Sequence, residues 1–255
     1  MTRIHEFFAL KANEFDSVSC FIAGMECEIE SVSSKNAFLG FEVTTDNSLR
    51  NEGVEFISVP LQTDELLSCF KNLHAHITYY DKAVAFSPRT STHVHINCRT
   101  LSPAQARQLV LFYALFEEFF FAFVEPSRRS NIHCVPLTET FLPQIYKHPI
   151  NAMVDHWHKY TALNILPLTK YGTIEFRHLQ GTDDVVLVKQ WLSCLEQLWS
   201  LAQKDTITAH ALTDEVRLKQ WWSYIFKDCP QILALEPSFY NVIRNNLMDV
   251  KLSLI

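Results

Sequence analysis

One ten-residue stretch constrains the chain more than any other. Phe21-Ile-Ala-Gly-Met-Glu-Cys-Glu-Ile-Glu30 alternates strictly. Phe21, Ala23, Met25, Cys27 and Ile29 point to one side of a strand, and Gly24, Glu26, Glu28 and Glu30 to the other. Carboxylates two residues apart project side by side from one sheet face. Like charges that close raise the free energy unless a cation lies between them. A merely solvated strand predicts mixed charges, lysine included, on that face; this one carries only Glu. The stretch therefore predicts a strand whose acidic face meets a divalent cation or does acid–base chemistry.

Further strands follow. Ala37–Val43 and Gly53–Val59 read as two, joined by the turn cluster Thr44–Ser48, in which Asn47 suits a left-handed conformation. Their order predicts an antiparallel meander. Thr63, Asp64 and Glu65 open a helix that runs to about Tyr80. Thr92–Cys98 is the next strand, with His93, His95 and Asn97 on one face. Ser102-Pro-Ala-Gln105 is a capping box for a helix so apolar all round that most of its surface must be buried. Glu125 to about Pro149 is irregular but carries Ile132, Val135, Leu137, Phe141 and Ile145, which predicts an ordered lid or pocket wall. Tyr160–Leu166 and Thr173–His178 read as a hairpin turning at Tyr171-Gly172, with Glu175 and Arg177 on one face. Residues 181–184 cap a long helix, and from Thr213 onward the pattern is helical, its aromatics suited to a core or a partner interface. With no repeat or linker in view, the reading is one domain over 1–255. Its motif-bearing core spans about 20–185 and its helical C-terminal part about 183–255. The fold class is α+β, a mostly antiparallel sheet with helices on one face.

Composition excludes several classes. A net charge of −6 without a long basic run disfavours broad nucleic-acid binding. The apolar stretch near Leu109–Val124 is interrupted by Glu117 and Glu118, so no membrane span is expected. Seven Cys without a CxxC pair, including Cys20, Cys69, Cys98 and Cys194 in apolar contexts, read as reduced, buried thiols. Together with an N-terminus that lacks a signal-peptide layout, they predict a cytoplasmic protein.

Three strands far apart in sequence thus carry acid, imidazole or guanidinium on one face: Glu26, Glu28 and Glu30; His93 and His95; Glu175 and Arg177. Glu55 and Asp46 belong to the meander beside the first. Each such group is costly to desolvate alone, and metal ions remove that cost for all at once. Mostly carboxylate ligands with one His suit Mg²⁺ or Mn²⁺ better than Zn²⁺. Magnesium held this way normally also holds phosphates, and Arg177 is placed to neutralise phosphoryl oxygens.

The motifs Gly24-x-Glu26-x-Glu28, Asp46-x-Ser48-Leu49 followed by Gly53-Val-Glu55-Phe-Ile-Ser58, His93-Val-His95, Lys159-Tyr160 with Asn164, and Gly172-Thr-Ile-Glu175-Phe-Arg177 with Gly181-Thr182 occur in that order. Over about residues 20–185 they resemble the amidoligase family, relatives of glutamine synthetase and glutamate–cysteine ligase. The resemblance implies a glutamine-synthetase-like sheet and a carboxylate–amine ligase. In that reaction ATP phosphorylates a carboxylate, and an amine then displaces phosphate to leave an amide. It implies Glu26, Glu28, Glu55, His93 and Glu175 as metal ligands and His95 near the nucleotide. Arg177 would face the transferred phosphoryl group, and the Asp46–Ser48 turn would approach the amine. Lys159 and Asn164 fall on a motif that binds nucleotide or carboxylate. Asn47 stands where Gly is common. Lys159 stands where Arg is frequent, which keeps the charge without the bidentate fork. Arg128 and Arg129 are the loop residues that could supply it; a solvated loop is the plain alternative. Members often occur in phages and small biosynthetic clusters, so peptide, cell-wall and modified-nucleotide substrates are all open as the acid and amine. Two other readings stand beside this one. A metal-dependent hydrolase or cupin-like oxygenase could use His93-x-His95, although Cys98-Arg-Thr-Leu-Ser-Pro lacks the Glu a cupin needs. An inactive ligase fold could serve as a binding module.

Overall fold

The computed structural model describes residues 2–32, 38, 40–80 and 85–254. Six strands form one open, antiparallel sheet: β1 Ala23–Ile29, β2 Phe41–Thr45, β3 Val54–Ser58, β4 Ser91–Asn97, β5 Leu163–Asn164 and β6 Thr173–Gln180. Their spatial order is β2-β3-β1-β4-β6-β5, which puts the acidic strand β1 near the middle. The described residues also form eight α-helices: α1 Ile4–Phe7, α2 Thr63–Tyr80, α3 Pro103–Phe123, α4 Ile150–Asp155, α5 Val185–Lys204, α6 Glu215–Ile225, α7 Pro230–Leu233 and α8 Phe239–Leu252. Mixed strands and helices in this arrangement bear out the α+β class. An open sheet packed with long helices is not the nearly all-β barrel of a cupin.

The alternation of β1 sorts its residues as expected. Ala23, Met25, Cys27 and Ile29 are buried against the helical side, and Glu26 and Glu28 face the opposite side. Behind the sheet, Phe176 and His178 of β6 meet Tyr113 and Phe120 of α3 and Trp191 of α5. Helix α3 is buried without interruption from Leu109 to Glu117. Its far side explains why: Phe112 packs on Trp221 and Phe119 on Trp222, Phe226 and Phe239. The C-terminal aromatics are therefore core, a second helical layer over α3. The Ser102–Gln105 capping box forms as expected, with both reciprocal bonds in place (3.2 and 2.9 Å).

Several local expectations change. The second strand begins at Phe41; Ala37 and Leu39 of its expected range lie outside the described residues. In the turn before β3 the left-handed residues are Asn51 and Glu52 (φ 50° and 58°), not Asn47. Only Leu163 and Asn164 of the expected 160–166 strand join the ladder. Upstream of them the chain bonds to Val135, through Val135 N–H to Tyr160 O and Ala162 N–H to Val135 O (both 2.8 Å), while Ala162 O still accepts the Arg177 N–H of β6 (2.8 Å). Among the thiols, Cys20 is exposed and Cys69 half-buried, whereas Cys27, Cys98, Cys134, Cys194 and Cys229 are buried.

The irregular stretch 125–149 is a pocket wall made of three 3₁₀ turns. Leu137, Leu142 and Tyr146 anchor it in the core, while Ile132 and Phe141 remain exposed. The buried Glu117 carboxylate accepts the Leu137 and Thr138 N–H groups (2.7 and 3.2 Å). Burial pushes its carboxyl up to about 7 despite those bonds.

One tie closes the front rim. The buried Arg99 donates to Asp16 Oδ1 (2.6 Å), Lys11 O (2.7 Å) and Tyr171 O (3.1 Å). It thereby joins the N-terminal segment to the turn before β6. Gly172 sits beside its stem at φ 75°, where a Cβ would overlap Arg99 Cγ. Gly172→Ala adds a left-handed penalty to that overlap. It should lower unfolding free energy by about 1–3 kcal/mol in urea denaturation; an unchanged midpoint would contradict this account of the rim.

Candidate active site

Register brings the expected residues together. Across the sheet Glu28 pairs with Glu55, Glu26 with His93, and His95 with Glu175. Facing inward, Glu26, Glu28, Glu55, His93, His95 and Glu175 line the floor of a cavity of about 650 Å³. Asp46, Ser48, Arg128, Lys159, Asn164 and Arg177 also line it, and Arg129 is left out. Arg129 instead pairs with Glu118 and Glu139 (3.0 and 2.7 Å) and covers Phe121, on a different side of the wall. Glu30 also leaves the cluster: it is buried and accepts the Arg50 N–H (2.8 Å), holding the turn before β3.

The floor is tightly connected. His93 Nδ1 lies 3.3 Å from both Glu26 Oε2 and Glu175 Oε1. Glu26 Oε1 lies 3.0 Å from His95 Nε2. Asn164 donates to Glu175 Oε2 (2.7 Å), and the Arg177 guanidinium pairs with Glu175 Oε1 while its Nε donates to His133 O (2.9 Å). Asn164 and Arg177 therefore orient Glu175 from either side. In the turn, Asp46 Oδ1 accepts the Ser48 N–H (2.7 Å), and Arg89 donates to Ser48 O (3.0 Å).

A bulge aims β6. Between the Thr92–Leu179 and Val94–Phe176 pairs, β4 has one residue, His93, and β6 has two, Arg177 and His178. Such a bulge re-aims a side chain and disturbs ladder bonding. The buried Arg128 occupies that disturbance, donating from Nε to His178 O (2.9 Å) and from Nη2 to Arg177 O (2.7 Å). Arg128 thus borders the cavity with two of its guanidinium nitrogens bonded to backbone carbonyls.

Electrostatics are lopsided. Burial raises the Glu55 carboxyl, and repulsion from Glu26 and Glu28 raises it further, to about 8. Burial opposes ionisation of Glu26 too, but hydrogen bonds and charge from His93 and His95 outweigh it and hold that carboxyl well below the usual range. His95 shows the reciprocal effect: burial favours its neutral form, yet Glu26 raises it. A floor on which one carboxyl must keep its proton fits a divalent cation. Two overlapping sets have ligand atoms within 4.8 Å of one another: Glu26, His93 and Glu175, and Glu28, Glu55 and His93. Their oxygen-rich donors suit a hard ion.

Some cavity residues carry no sequence signal of their own. Ser91, buried, bonds to both Glu28 and His93 (2.6 and 2.7 Å). A strand expected to start at Thr92 hides it, although period two from His95 through His93 reaches it. Arg89, His133, Lys170 and Tyr171 complete the walls. A second cavity of about 700 Å³ adjoins the first and shares Glu26, His95, Lys170 and Tyr171 with it. Its walls include Phe15, Ile22, Met25 and Pro60, and nothing local in the sequence connects residues 11–15 to β1.

The profile of a family described as "Putative amidoligase enzyme" matches residues 30–199. No curated protein matches the chain. No described helix is long and apolar enough to cross a membrane.

The charge imbalance predicts a pH dependence for protein held in chelator. The Glu55 carboxyl is raised on folding, so its contribution is fully present below about pH 4.5 and is lost as pH rises through about 8. His95, also raised, adds loss in the same direction. Thermal melts should therefore fall between pH 6 and pH 9, and Glu55→Gln should fall less over the same interval. Equal slopes for the two proteins would contradict the assignment.

Proposed function

The chain belongs to the amidoligase family, and from that premise we propose that it is an ATP-dependent carboxylate–amine ligase built on a glutamine-synthetase-like sheet. The observation that carries the reading is the convergence of Glu26, Glu175 and His93 Nδ1, with Glu28 and Glu55 beside them, under a wall of basic residues. Glu26, His93 and Glu175, and Glu28 and Glu55, are the residues that would hold Mg²⁺ or Mn²⁺, which would supply neutralisation of phosphate charge. A substrate carboxylate oxygen takes the γ-phosphoryl group of ATP, releasing ADP and leaving an acyl phosphate. The amine nitrogen attacks the carbonyl carbon, the bond from that carbon to the phosphate oxygen breaks, and amide and phosphate leave.

The chain's own residues divide the work by position. Arg177, which the structure ties to Glu175 and His133 O, presents its charge to the phosphoryl group in flight. Lys159, Lys170 and Arg89 on the walls hold anionic groups of the substrates. Asp46, at the opposite end from β6, accepts the proton the amine gives up, with Ser48 shaping the turn. The more apolar second cavity takes the nucleoside, with His95 on the shared wall. The substrates are small-molecule or peptide acids and amines, and the reaction belongs in the cytoplasm, where ATP is plentiful and the buried thiols stay reduced.

Calorimetry tests the base of this reading: ATP should bind with Mg²⁺ or Mn²⁺ present, and equal affinity in excess chelator would contradict it. Variants test the division of labour. Arg177→Ala should lower kcat and kcat/KM alike, by on the order of 10²–10³, while ATP binding persists. Glu175→Ala should lose ATP affinity as well. An Arg177→Ala protein that melts early yet turns over normally while folded would make Arg177 only the structural partner of Glu175.

A further inference from the structure

We infer that Ser91 is a positioning residue that selects the tautomer of His93 and fixes the rotation of Glu28 on the floor. The inference rests on the metal-dependent ligase reading of the same floor. Ser91 heads β4, two residues before His93 on the same face, and is buried. Its backbone N–H and its hydroxyl both lie at Glu28 Oε2, at 2.7 and 2.6 Å. Its Oγ also lies 2.7 Å from His93 Nε2.

Proton counting then decides the direction of each bond. A serine hydroxyl has one proton to give, and an ionised carboxylate can only accept. The Ser91 proton therefore goes to Glu28, and Ser91 Oγ accepts from His93, which requires a proton on Nε2. With a cation on the floor, Nε2–H leaves the Nδ1 lone pair to that cation, in place of the contact that Nδ1 makes to Glu26 without it; Nδ1 lies 3.3 Å from both Glu26 Oε2 and Glu175 Oε1. That nitrogen belongs with those two carboxylates. Nε2, by contrast, stands 4.0 Å from Glu28 Oε1 and is occupied by the serine.

His93 therefore serves only one of the two overlapping ligand sets. Glu26, His93 and Glu175 make a set with one nitrogen donor. Glu28 and Glu55 make a set of carboxylates alone, in which Ser91 orients Glu28 by two donors to one oxygen and leaves the other oxygen outside those bonds. A single hydroxyl links the two, so it fixes both the ring's tautomer and the carboxylate's rotation. Outer partners of this kind typically contribute 10- to 100-fold to metal affinity.

The test uses full-length protein labelled with ¹⁵N at histidine, with the His93 signals assigned by comparison with His93→Gln. Long-range proton–nitrogen spectra in saturating Mg²⁺ should show His93 protonated at Nε2 and bare at Nδ1. Ser91→Ala should lose that preference, and its Mn²⁺ affinity by calorimetry should fall about 10- to 100-fold. Ser91→Thr keeps the hydroxyl and should restore both. Three results would overturn the inference alone while Mn²⁺ still binds: a proton on Nδ1 in the unaltered protein, a Ser91→Ala protein with the same tautomer and affinity, or one that merely melts earlier. Absence of any Mn²⁺ binding by the unaltered protein would overturn it together with the ligase reading beneath it.

Discussion

Glu26, Glu28, Glu55 and Glu175 put four carboxylates on one sheet floor: Glu28 and Glu55 pair directly with each other, and Glu26 and Glu175 each pair with a histidine on β4. Two unit charges about 4 Å apart repel by about 4 kcal/mol even at an effective dielectric of 20. The protein meets that repulsion with what it has: His93 and His95 against Glu26, Arg177 and Asn164 on Glu175, two donors from Ser91 on Glu28, and a proton retained by Glu55. Each of these is a partial answer. The arrangement persists because the backbone behind it is held rigidly enough to keep the charges in place.

That rigidity comes from the other side of the sheet. The apolar face of β6 packs on α3 and α5, β1 meets α2, and α3 is in turn covered by α6 and α8. Large aromatics dominate both layers, so few rotamers are available and the strand spacing has little room to drift. The pocket wall is tied into the same core through Glu117 and through Arg128, which occupies the carbonyls of the β6 bulge. The face that does the chemistry and the face that makes the core are the two halves of one period-two pattern.

Much of this was legible because it is local. Period two in 21–30, in 92–98 and in 173–178 names the floor residues other than Glu55, and the capping box names the start of α3. What was not legible depends on distant pairing or on the turn of a single residue. Residues 160–162 bond to Val135 on their other side, a pairing that no window around 160 can reveal. Arg128 and Arg129 are adjacent, but in a 3₁₀ turn successive side chains diverge by about 120°. One therefore goes to the bulge and the other to Glu118 and Glu139. Ser91 lay one residue beyond the expected strand end. The N-terminal contribution to the second cavity depends on distant ties, Arg99 bonding across 83 to 88 residues of sequence and Asn97 donating to Phe15 O.

The central claim is that a substrate carboxylate is activated by phosphorylation before the amine attacks. Oxygen tracing reads that step directly. With the carboxylate of the acid substrate labelled with ¹⁸O and its amine partner and ATP supplied, each amide formed should deliver one labelled oxygen to inorganic phosphate, alongside ADP. Amide formation that leaves the phosphate unlabelled, or that carries the label into AMP, would contradict the account.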